Sequence, residues 1–443
     1  MRLSLALLII LVFLGCSHST SDSSNTNPLF NQQWSINYDS KFYNLNAIDS
    51  NAHINPQNIF YSYSGKGVKV AVIDNGFDTT HPEIKDKIIK TISVDQNGVV
   101  GSDVSPPTIG SHHGTAVSGI IAAANNSIGM MGVAPEVELI LLRYPTNNYI
   151  DDSILIELFT QAVDAGAKVI NCSWGTGNVS DAFRDFMSTL DVVVVFASGN
   201  SNKKMGNDES AMDSVVGVGA TNKYNLRTSY SDYGKDLDIV APGGYYLGIT
   251  ALDPQGSAGA SNDGYIRYNE FTNGSSVRFI GTSASAPIMT GVIALALQKN
   301  PNLTRKEIQD LLQVSTSYIG NNTPYMDDMI SSSSPTPTIT GIYGLSQNSD
   351  LKVRLVSFDT NSTFGLYSVQ NIGNNRWSCT VTDTLADGNY TIELLSSDTL
   401  TIWATDSSFT INSQGVSQTD KTRKKSDFYG YGKIDLGKLM DLI

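Results

Sequence analysis

The chain has 443 residues, of which 40% are hydrophobic and 16% are charged, a composition typical of a folded protein with a large core. A coiled coil and a charge-rich disordered protein are both excluded, since average soluble domains carry roughly 25% charged residues. The 42 acidic and 29 basic residues give a formal net charge of -13, which argues against a nucleic acid partner.

The first residues predict an export signal that ends at a cysteine. Residues 1–15 contain an apolar stretch, Leu3 to Leu14, that suits a signal-peptide core and is too short to span a membrane. Cys16 follows at once, and the junction resembles the signal of bacterial lipoproteins, whose mature end is a diacylated cysteine. We therefore expect residues 16–26 to be a lipid-anchored tether at the outer membrane. An ordinary secretory peptide, with Cys16 lost or free, is the alternative.

Apolar runs alternate with helical patterns from Val68 onward. One helix is marked by Asp151 or Asp152 at its start and by Gly166 near its end. The apolar runs have the length and composition of buried parallel strands: Val68–Ile73, Leu139–Leu142, Lys168–Cys172, Val192–Ala197, Ser214–Ala220 and Leu237–Val240. This alternation predicts an α/β fold with a doubly wound, mostly parallel sheet, which places ligands at the carboxyl ends of its strands.

The sequence changes character after Tyr318. Residues 331–338 are rich in Ser, Pro and Thr and predict a linker, and apolar and polar residues then alternate from about Ile342 to Ile411. We expect residues 321–425 to hold this linker and an inserted all-β, sandwich-like module. Residues 27–320 and 426–443 would then form the main domain.

Three residues carry the strongest chemical signal. Asp74 directly follows a predicted strand, and His113 opens a helix of small residues. Ser283 opens another helix, where unpaired N–H groups and the helix dipole favour negative charge. Each has an ordinary interpretation by itself, as a turn aspartate, a helix-cap histidine and an N-cap serine.

Together, and in this order, the three residues closely resemble the subtilisin-like serine peptidases. The motifs are DNG at residues 74–76, HHGTAVSG at 112–119, ASGN at 197–200, APG at 241–243 and GTSASAP at 281–287. The resemblance covers about residues 27–317 and resumes with YGYGKID at 429–435. It implies a subtilisin-like fold and a serine endopeptidase that hydrolyses peptide bonds through an acyl-enzyme.

The resemblance assigns a role to each catalytic group. Ser283 would be the nucleophile, His113 the base that takes its proton, and Asp74 the carboxylate that holds the imidazole tautomer and stabilises the imidazolium. The N–H of Ser283 and the side-chain amide of Asn200 would bind the oxyanion of the tetrahedral intermediate.

The substrate cleft is partly marked in the sequence. Ser173, Trp174 and Gly175 resemble the family segment that pairs with substrate as an added strand, although core packing of the Trp174 side chain is an alternative. Glu209 falls where the furin and kexin branch has an acidic residue in its specificity pocket. A carboxylate there would favour Lys or Arg on the acyl side of the scissile bond. Two neighbouring lysines favour the other interpretation, an ordinary acidic residue of a surface loop.

The loop around Asn126 resembles the tight calcium site of the family. The segment that begins at Asn27 is also similar to the mature start of kexin-like members. The implied oxygen ligands are the side chains of Asn126, Glu83 and Asn27 and the carbonyls of Ala124, Ile128 and Met130. Because the family usually has Asp where Glu83 and Asn27 stand, one formal ligand charge remains instead of two. We therefore expect weaker calcium binding and a stability that depends on calcium.

A function of another class has to be weighed against the peptidase. A surface binding or adhesion protein could keep a peptidase fold without activity and use the β module as its working part. The presence of all four catalytic groups argues against it. We expect a monomer whose partners are protein or peptide substrates and, through the lipid anchor, a membrane. The short tether predicts that the chaperone prodomain of many secreted relatives is missing, and Cys172 and Cys379 are predicted to be buried thiols.

Overall fold

The computed structural model describes residues 27–108, 111–145, 150–272, 275–317, 319, 325–326, 331–342, 351–357, 362–373, 376–395, 402–411 and 428–443. The predicted signal peptide, Cys16 and the tether lie outside these residues. Among the described residues, no helix is both long enough and apolar enough to cross a membrane.

A ten-stranded sheet forms the centre of the main domain. Its first eight strands are β1 (Lys69–Asp74), β2 (Ile88–Val94), β3 (Val100–Gly101), β4 (Glu138–Arg143), β5 (Val169–Cys172), β6 (Val193–Ala197), β7 (Val216–Thr221) and β8 (Ile239–Pro242). Two short hairpins follow, β9 (Ala251–Leu252) with β10 (Tyr265–Ile266) and β11 (Glu270–Thr272) with β12 (Ser275–Val277). The strands β13 (Thr316–Ser317) and β23 (Lys433–Ile434) complete the sheet.

The strand order confirms the predicted parallel sheet. It is β13-β23-β8-β7-β6-β5-β1-β4-β2-β3, and only the pairs at the two edges, β13 with β23 and β2 with β3, are antiparallel. The six predicted strands are all present, displaced by at most two residues at either end. The expectation missed β2, because polar and exposed residues such as Lys90 interrupt its apolar pattern.

Helices cover both faces of this sheet, as a doubly wound fold requires. They are α1 (Ser40–Asn46), α2 (Ile59–Ser62), α3 (His113–Ala122), α4 (Asp152–Asp164), α5 (Asp181–Thr189), α6 (Thr282–Lys299), α7 (Arg305–Val314) and α8 (Leu436–Leu442), with short 3-10 turns at Phe30–Gln32, Lys85–Lys87, Glu209–Ala211 and Gly256–Ala258. Val70 and Val72 of β1 pack with α3 and α6, whereas Ala71 and Ile73 pack with α4 and α5. The alternation of side chains along β1 thus divides the core into two layers.

The C-terminal region contains two small sheets that share one core. One has the order β14-β16-β20-β19 and the other β15-β22-β21-β17-β18, with strands β14 (Tyr325–Met326), β15 (Ser331–Ser332), β16 (Thr338–Ile342), β17 (Lys352–Ser357), β18 (Thr363–Ser368), β19 (Gln370–Gly373), β20 (Arg376–Thr380), β21 (Gly388–Leu395) and β22 (Ile402–Ile411). Trp377 of the first sheet packs with Val353 and Ile392 of the second. This arrangement confirms the all-β, sandwich-like prediction.

The sequence predicts a linker at residues 331–338, but in the structure this stretch is part of the β module. Ser331–Ser332 pair with β22 in parallel, and β16 begins at Thr338. The carbonyls of Pro335 and Pro337 accept hydrogen bonds from the N–H groups of Leu385 and Val381. Proline lacks the backbone N–H donor but keeps its carbonyl, which can still accept a hydrogen bond within the module.

Candidate active site

Asp74 and His113 lie side by side where β1 ends and α3 begins. Nδ1 of His113 is 2.8 Å from Oδ1 and 3.0 Å from Oδ2 of Asp74. The Asp74 side chain is fully buried, whereas that of His113 is 31% exposed, so one edge of the imidazole remains open to the outside. Residue 114 must be glycine for α3 to lie this close to the end of β1, because a Cβ there would lie 2.3 Å from the Gly76 carbonyl oxygen and 3.1 Å from Asp74 Cβ.

The electrostatics of the pair suit a base that acts near neutral pH. Burial by itself would lower the pKa of His113, but the charge and the hydrogen bond of Asp74 outweigh burial and raise it above its usual value. The Asp74 carboxylate also fixes the tautomer, since Nδ1 must carry a hydrogen to donate to it. Nε2 of the neutral imidazole is then the free acceptor.

Ser283 is the second residue of α6, and Ser173 after β5 holds it from two sides. Ser283 Oγ donates to the Ser173 carbonyl at 2.9 Å, and Ser173 Oγ donates to the Ser283 carbonyl at 3.1 Å. The second bond depends on Pro287, which has no N–H and therefore leaves the carbonyl four residues earlier without its helical partner. The hydroxyl of Ser283 points to Ser173, so it must reorient to share its proton with His113.

A buried polar chain supports Ser173. The Asn171 amide donates to Ser173 Oγ at 3.0 Å, and Thr290 of α6 donates its hydroxyl to Asn171 Oδ1 at 2.9 Å. Sequence reasoning missed both residues. A signal was present, because an asparagine inside the apolar run of β5 must find hydrogen-bond partners when it is buried.

Asn200 follows β6 and contacts the turn that carries Ser283. Its Oδ1 accepts the N–H of Thr282 at 2.9 Å and the hydroxyl of Thr282 at 3.1 Å. Gly281 permits this contact, since it has a φ of 123° and a Cβ there would lie 3.3 Å from Asn200 Oδ1. The bonds to Oδ1 leave Nδ2 as the donor of the amide beside the serine turn.

Glu209 is buried, and the surface-loop interpretation is therefore wrong. Its side chain is 1% exposed, and its carboxylate accepts the N–H of Thr176 at 3.0 and 3.1 Å and the hydroxyl of the same residue. A Cβ on Gly175 would lie 3.4 Å from Glu209 Oε2. The carboxylate thus lies directly behind the segment that was predicted to pair with substrate.

The Trp174 side chain packs inward. Its indole N–H donates to the Ile73 carbonyl at 2.7 Å, and its ring packs edge-on against Tyr144 and Phe196. This favours the packing interpretation for the side chain. It also fixes the segment beside the strand that ends at Asp74.

The six predicted calcium ligands lie together. Asn27 Nδ2 donates to the carbonyls of Ala124, Ile128 and Met130 at 2.8, 2.7 and 2.6 Å, so these three oxygens converge on one point. Asn126 Oδ1 lies in the same loop and accepts the N–H of Ile128 at 3.1 Å. The described residues contain no cluster of three or more His, Cys, Asp or Glu side chains, so the oxygens here come mainly from carbonyls and amides.

Glu83 closes this loop with a carboxylate that needs a further partner. It is 1% exposed; Oε1 accepts the hydroxyl of Tyr265 at 2.9 Å, and Oε2 is buried without a hydrogen bond from any described residue. Burial raises the pKa of Glu83 to about 7, against the smaller effect of its hydrogen bonds. Converging carbonyls and an unsatisfied buried carboxylate fit a hard cation such as Ca²⁺. The Asn27 amide must turn its oxygen inward to act as a ligand.

The remaining cysteines take no part in this chemistry. Cys172 and Cys379 are free and buried, as predicted. Burial raises the pKa of the Cys172 thiol well above its usual value, which suppresses the reactive thiolate.

Comparison with known proteins places this chain in a family. The sequence matches the subtilase family of peptidases over residues 65–345, more than half of the chain. Subtilisin NAT of Bacillus subtilis subsp. natto is 33% identical over 276 residues, which cover 60% of this chain. The match spans 65% of the length of that relative, just under two thirds.

Two solved structures extend the likeness. A protease of Pseudoalteromonas arctica PAMC 21717 is 27% identical with a TM-score of 0.56, over 66% of this chain and 93% of that one. The serine protease of Aeromonas sobria, solved in complex with a chaperone, is 20% identical with a TM-score of 0.62, over 94% of this chain and 67% of that one. At that identity the second comparison shows a shared fold. The chain belongs to the subtilase family.

Proposed function

We propose that this protein is a serine endopeptidase that cleaves protein or peptide substrates with Asp74, His113 and Ser283. The observation that carries the proposal is the buried Asp74 carboxylate hydrogen-bonded to Nδ1 of a partly exposed His113. Ser283 stands at the start of α6 and is joined through the Ser173 segment to the strand that ends at Asp74. An inactive binding protein would need none of this arrangement.

The proposed mechanism gives each proton a defined path. Nε2 of His113 accepts the hydroxyl proton as Ser283 Oγ attacks the substrate carbonyl, and Asp74 stabilises the imidazolium that forms. The Ser283 N–H and Asn200 Nδ2 bind the oxyanion. Collapse of the intermediate breaks the C–N bond, and His113 returns the proton to the leaving amine. A water molecule then hydrolyses the acyl-enzyme with the same base.

The specificity pocket is proposed to contain Glu209. Its buried carboxylate lies behind Gly175 and Thr176, next to the backbone that would pair with substrate. Two hydrogen-bond donors of Thr176 already stabilise it, and an ammonium or guanidinium group would add the missing positive charge. We therefore propose a preference for Lys or Arg on the acyl side of the scissile bond.

A calcium ion is proposed to join the N-terminal segment to the loop at residues 124–130. Asn27, Asn126, Glu83 and three carbonyls would hold it, and its charge would neutralise the buried Glu83 carboxylate. The proposed role is structural. None of the proposed calcium ligands is a proposed catalytic residue.

Anchoring to a bacterial cell envelope is proposed from the sequence around Cys16. Mass spectrometry of the N-terminal peptide from membrane-extracted protein tests it directly. A diacylglyceryl group on Cys16 is the expected result, and an unmodified cysteine or a cleavage beyond it would contradict the proposal.

The peptidase itself is tested with a fluorophosphonate probe, which labels activated serines. The folded wild-type protein should be labelled on the peptide that contains Ser283, and Ser283→Ala should abolish the labelling. The exposed Ser188→Ala variant is the control and should be labelled like the wild type. A folded wild-type protein that stays unlabelled would favour the binding protein instead.

A further inference from the structure

A buried carboxylate that the proposed mechanism does not use lies behind the Asn200 loop. Asp232 is 2% exposed, and its Oδ1 accepts the N–H groups of Ser201 at 2.8 Å and of Lys203 at 3.0 Å. The two donors follow Asn200 in the chain, one and three residues later. One carboxylate oxygen therefore holds the loop on the far side of the proposed oxyanion donor.

The same residue holds the near side of the loop. The Asp232 N–H donates to the Gly199 carbonyl at 2.9 Å. Gly199 has a φ of 107°, and a Cβ there would lie 2.3 Å from Asp232 Oδ2, so only glycine leaves room for the Asp232 carboxylate. Asn200 is thus bracketed by two neighbours, Gly199 and Ser201, that both bond to Asp232.

Backbone bonds complete the attachment of the two segments. The Asn202 N–H donates to the Tyr230 carbonyl at 2.8 Å, and the Tyr233 N–H donates to the Lys203 carbonyl at 3.1 Å. The loop at residues 199–203 is therefore laid along residues 230–233. Among the described contacts, the backbone N–H groups of residues 200–203 donate to only one side chain, the Asp232 carboxylate.

We propose that Asp232 is a positioning residue for the oxyanion hole, and this inference rests on the proposed peptidase function. Bonds from a buried carboxylate to backbone N–H groups are charge-assisted and therefore strong. They fix the backbone on which Asn200 is mounted, so that Nδ2 faces the place where the oxyanion develops. Preorganised donors of this kind act on the transition state and add little to the binding of the ground state.

The first test separates kcat from KM in two variants, Asp232→Ala and Asp232→Asn. Displacing a catalytic donor by ~1 Å costs on the order of 100-fold, so Asp232→Ala should lower kcat by ~10- to 100-fold while KM changes by less than about twofold. Asp232→Asn keeps one carbonyl oxygen but loses the charge that strengthens both hydrogen bonds, so it should lower kcat less, by about two- to tenfold. If Asp232→Ala fails to fold, Asp232→Asn carries the test alone.

A matched control and an inhibitor distinguish positioning from general destabilisation. Asp238→Asn alters another aspartate that accepts a backbone N–H, that of Gly217 at 2.9 Å, and should leave kcat unchanged. A peptide aldehyde forms an oxyanion on Ser283, whereas the corresponding peptide acid does not. The Asp232 variants should bind the aldehyde more weakly, by the same factor as the loss of kcat, and should bind the acid as tightly as the wild type does.

The double variant with Asn200→Ala decides the matter. If Asp232 acts through Asn200, Asp232→Ala should cost little further kcat once the amide is gone. Equal losses with and without Asn200, an effect on KM alone, or an unchanged kcat in a folded Asp232→Asn protein would overturn the inference. A wild-type protein that no fluorophosphonate labels would instead overturn the proposed function, so the two failures are distinguishable.

Discussion

Asn200 provides the side-chain donor of the proposed oxyanion hole, and its removal isolates that contribution. Asn200→Ala should lower kcat by about 100- to 1000-fold, the usual cost of losing one such donor, as in subtilisin itself. The loss should leave KM nearly unchanged, because the donor acts on charge that exists only in the transition state. Steady-state kinetics with a peptide substrate measure this. Circular dichroism and the melting temperature should match the wild type, and near-normal kcat in a folded variant would exclude Asn200 from the hole.

His113 should impose a pH dependence that Asp74 controls. Catalysis needs the neutral imidazole, and the Asp74 carboxylate raises the pKa of His113, so kcat/KM should rise with pH through a midpoint above about 6.5. In Asp74→Asn the raising interactions disappear, burial remains, and the midpoint should fall below that of the wild type. Proton NMR of the imidazole in a Ser283→Ala background, which cannot digest itself, follows the titration. A midpoint that is unaffected by Asp74→Asn would show that the pair is not electrostatically coupled.

Glu209 should determine which peptide bonds are cleaved. Wild-type protein incubated with a peptide library should cleave preferentially after Lys and Arg, and Glu209→Gln should reduce that preference by at least about tenfold, since a buried charge pair contributes more than 1.4 kcal/mol to discrimination. Glu136→Gln, which alters an exposed glutamate, is the control. Cleavage without any preference for basic residues in the wild type would remove Glu209 from the specificity pocket.

At the scale of elements, the hydrophobic pattern was enough to predict six strands of the central sheet and the helix α4, but not β2. Buried strands such as β1 and β6 have continuous apolar runs. Thr304 and Glu307 form a capping box at the start of α7, a contact between residues only three apart in the sequence. Polar contacts made across the chain were not predictable in the same way. The sequence predicts Asp151 or Asp152 as the cap of α4. Asp151 occupies the N-cap without a side-chain capping bond, and the Asp152 carboxylate accepts the hydroxyl of Ser180, the N-cap residue of α5.

The proposed calcium loop joins an N-terminal segment to an element that begins about 97 residues later, so metal should govern how firmly that segment is held. Removal of calcium with a chelator should lower the melting temperature of the wild type, and added calcium should restore it, because binding to the folded state alone stabilises it by mass action. Glu83→Gln removes the one formal ligand charge and should shrink the shift. Differential scanning calorimetry measures both, and an identical transition with and without chelator would contradict an occupied site.

At the scale of the whole molecule, the segment at residues 429–435 explains how a module can be inserted without interrupting the main sheet. The chain leaves the sheet after β13 and returns at β23, and these two strands pair with each other. Asp435 then accepts the hydroxyl of Ser317 at 2.7 Å and the amide of Asn55 at 2.8 Å. The start of the excursion, its end and the N-terminal segment therefore meet at one place, as insertion between neighbouring chain ends requires.

Lys433 makes this junction sensitive to pH. The residue is 3% exposed, and its ammonium donates to Asn225 Oδ1 at 2.8 Å and to the Asn51 carbonyl. Burial lowers its pKa to about 7, although the charges of Asp49 and Asp435 partly oppose this. Above pH 7 the folded state thus releases a proton that the unfolded state keeps until about pH 10.5. The free energy of unfolding should gain up to about 1.4 kcal/mol per pH unit from this group.

The contribution can be isolated by comparing two lysines of the same segment between pH 7 and 8.5. The buried thiols begin to ionise in the unfolded state near the top of this window, but both variants contain them, so comparing the two variants cancels their contribution to the slope. Lys433→Met should remove the increase, whereas Lys438→Met, which alters an exposed lysine, should keep it. Urea denaturation at each pH gives the free energies. If the slope survives in Lys433→Met, it comes from another group, and Lys433 keeps its proton in the folded protein across this window.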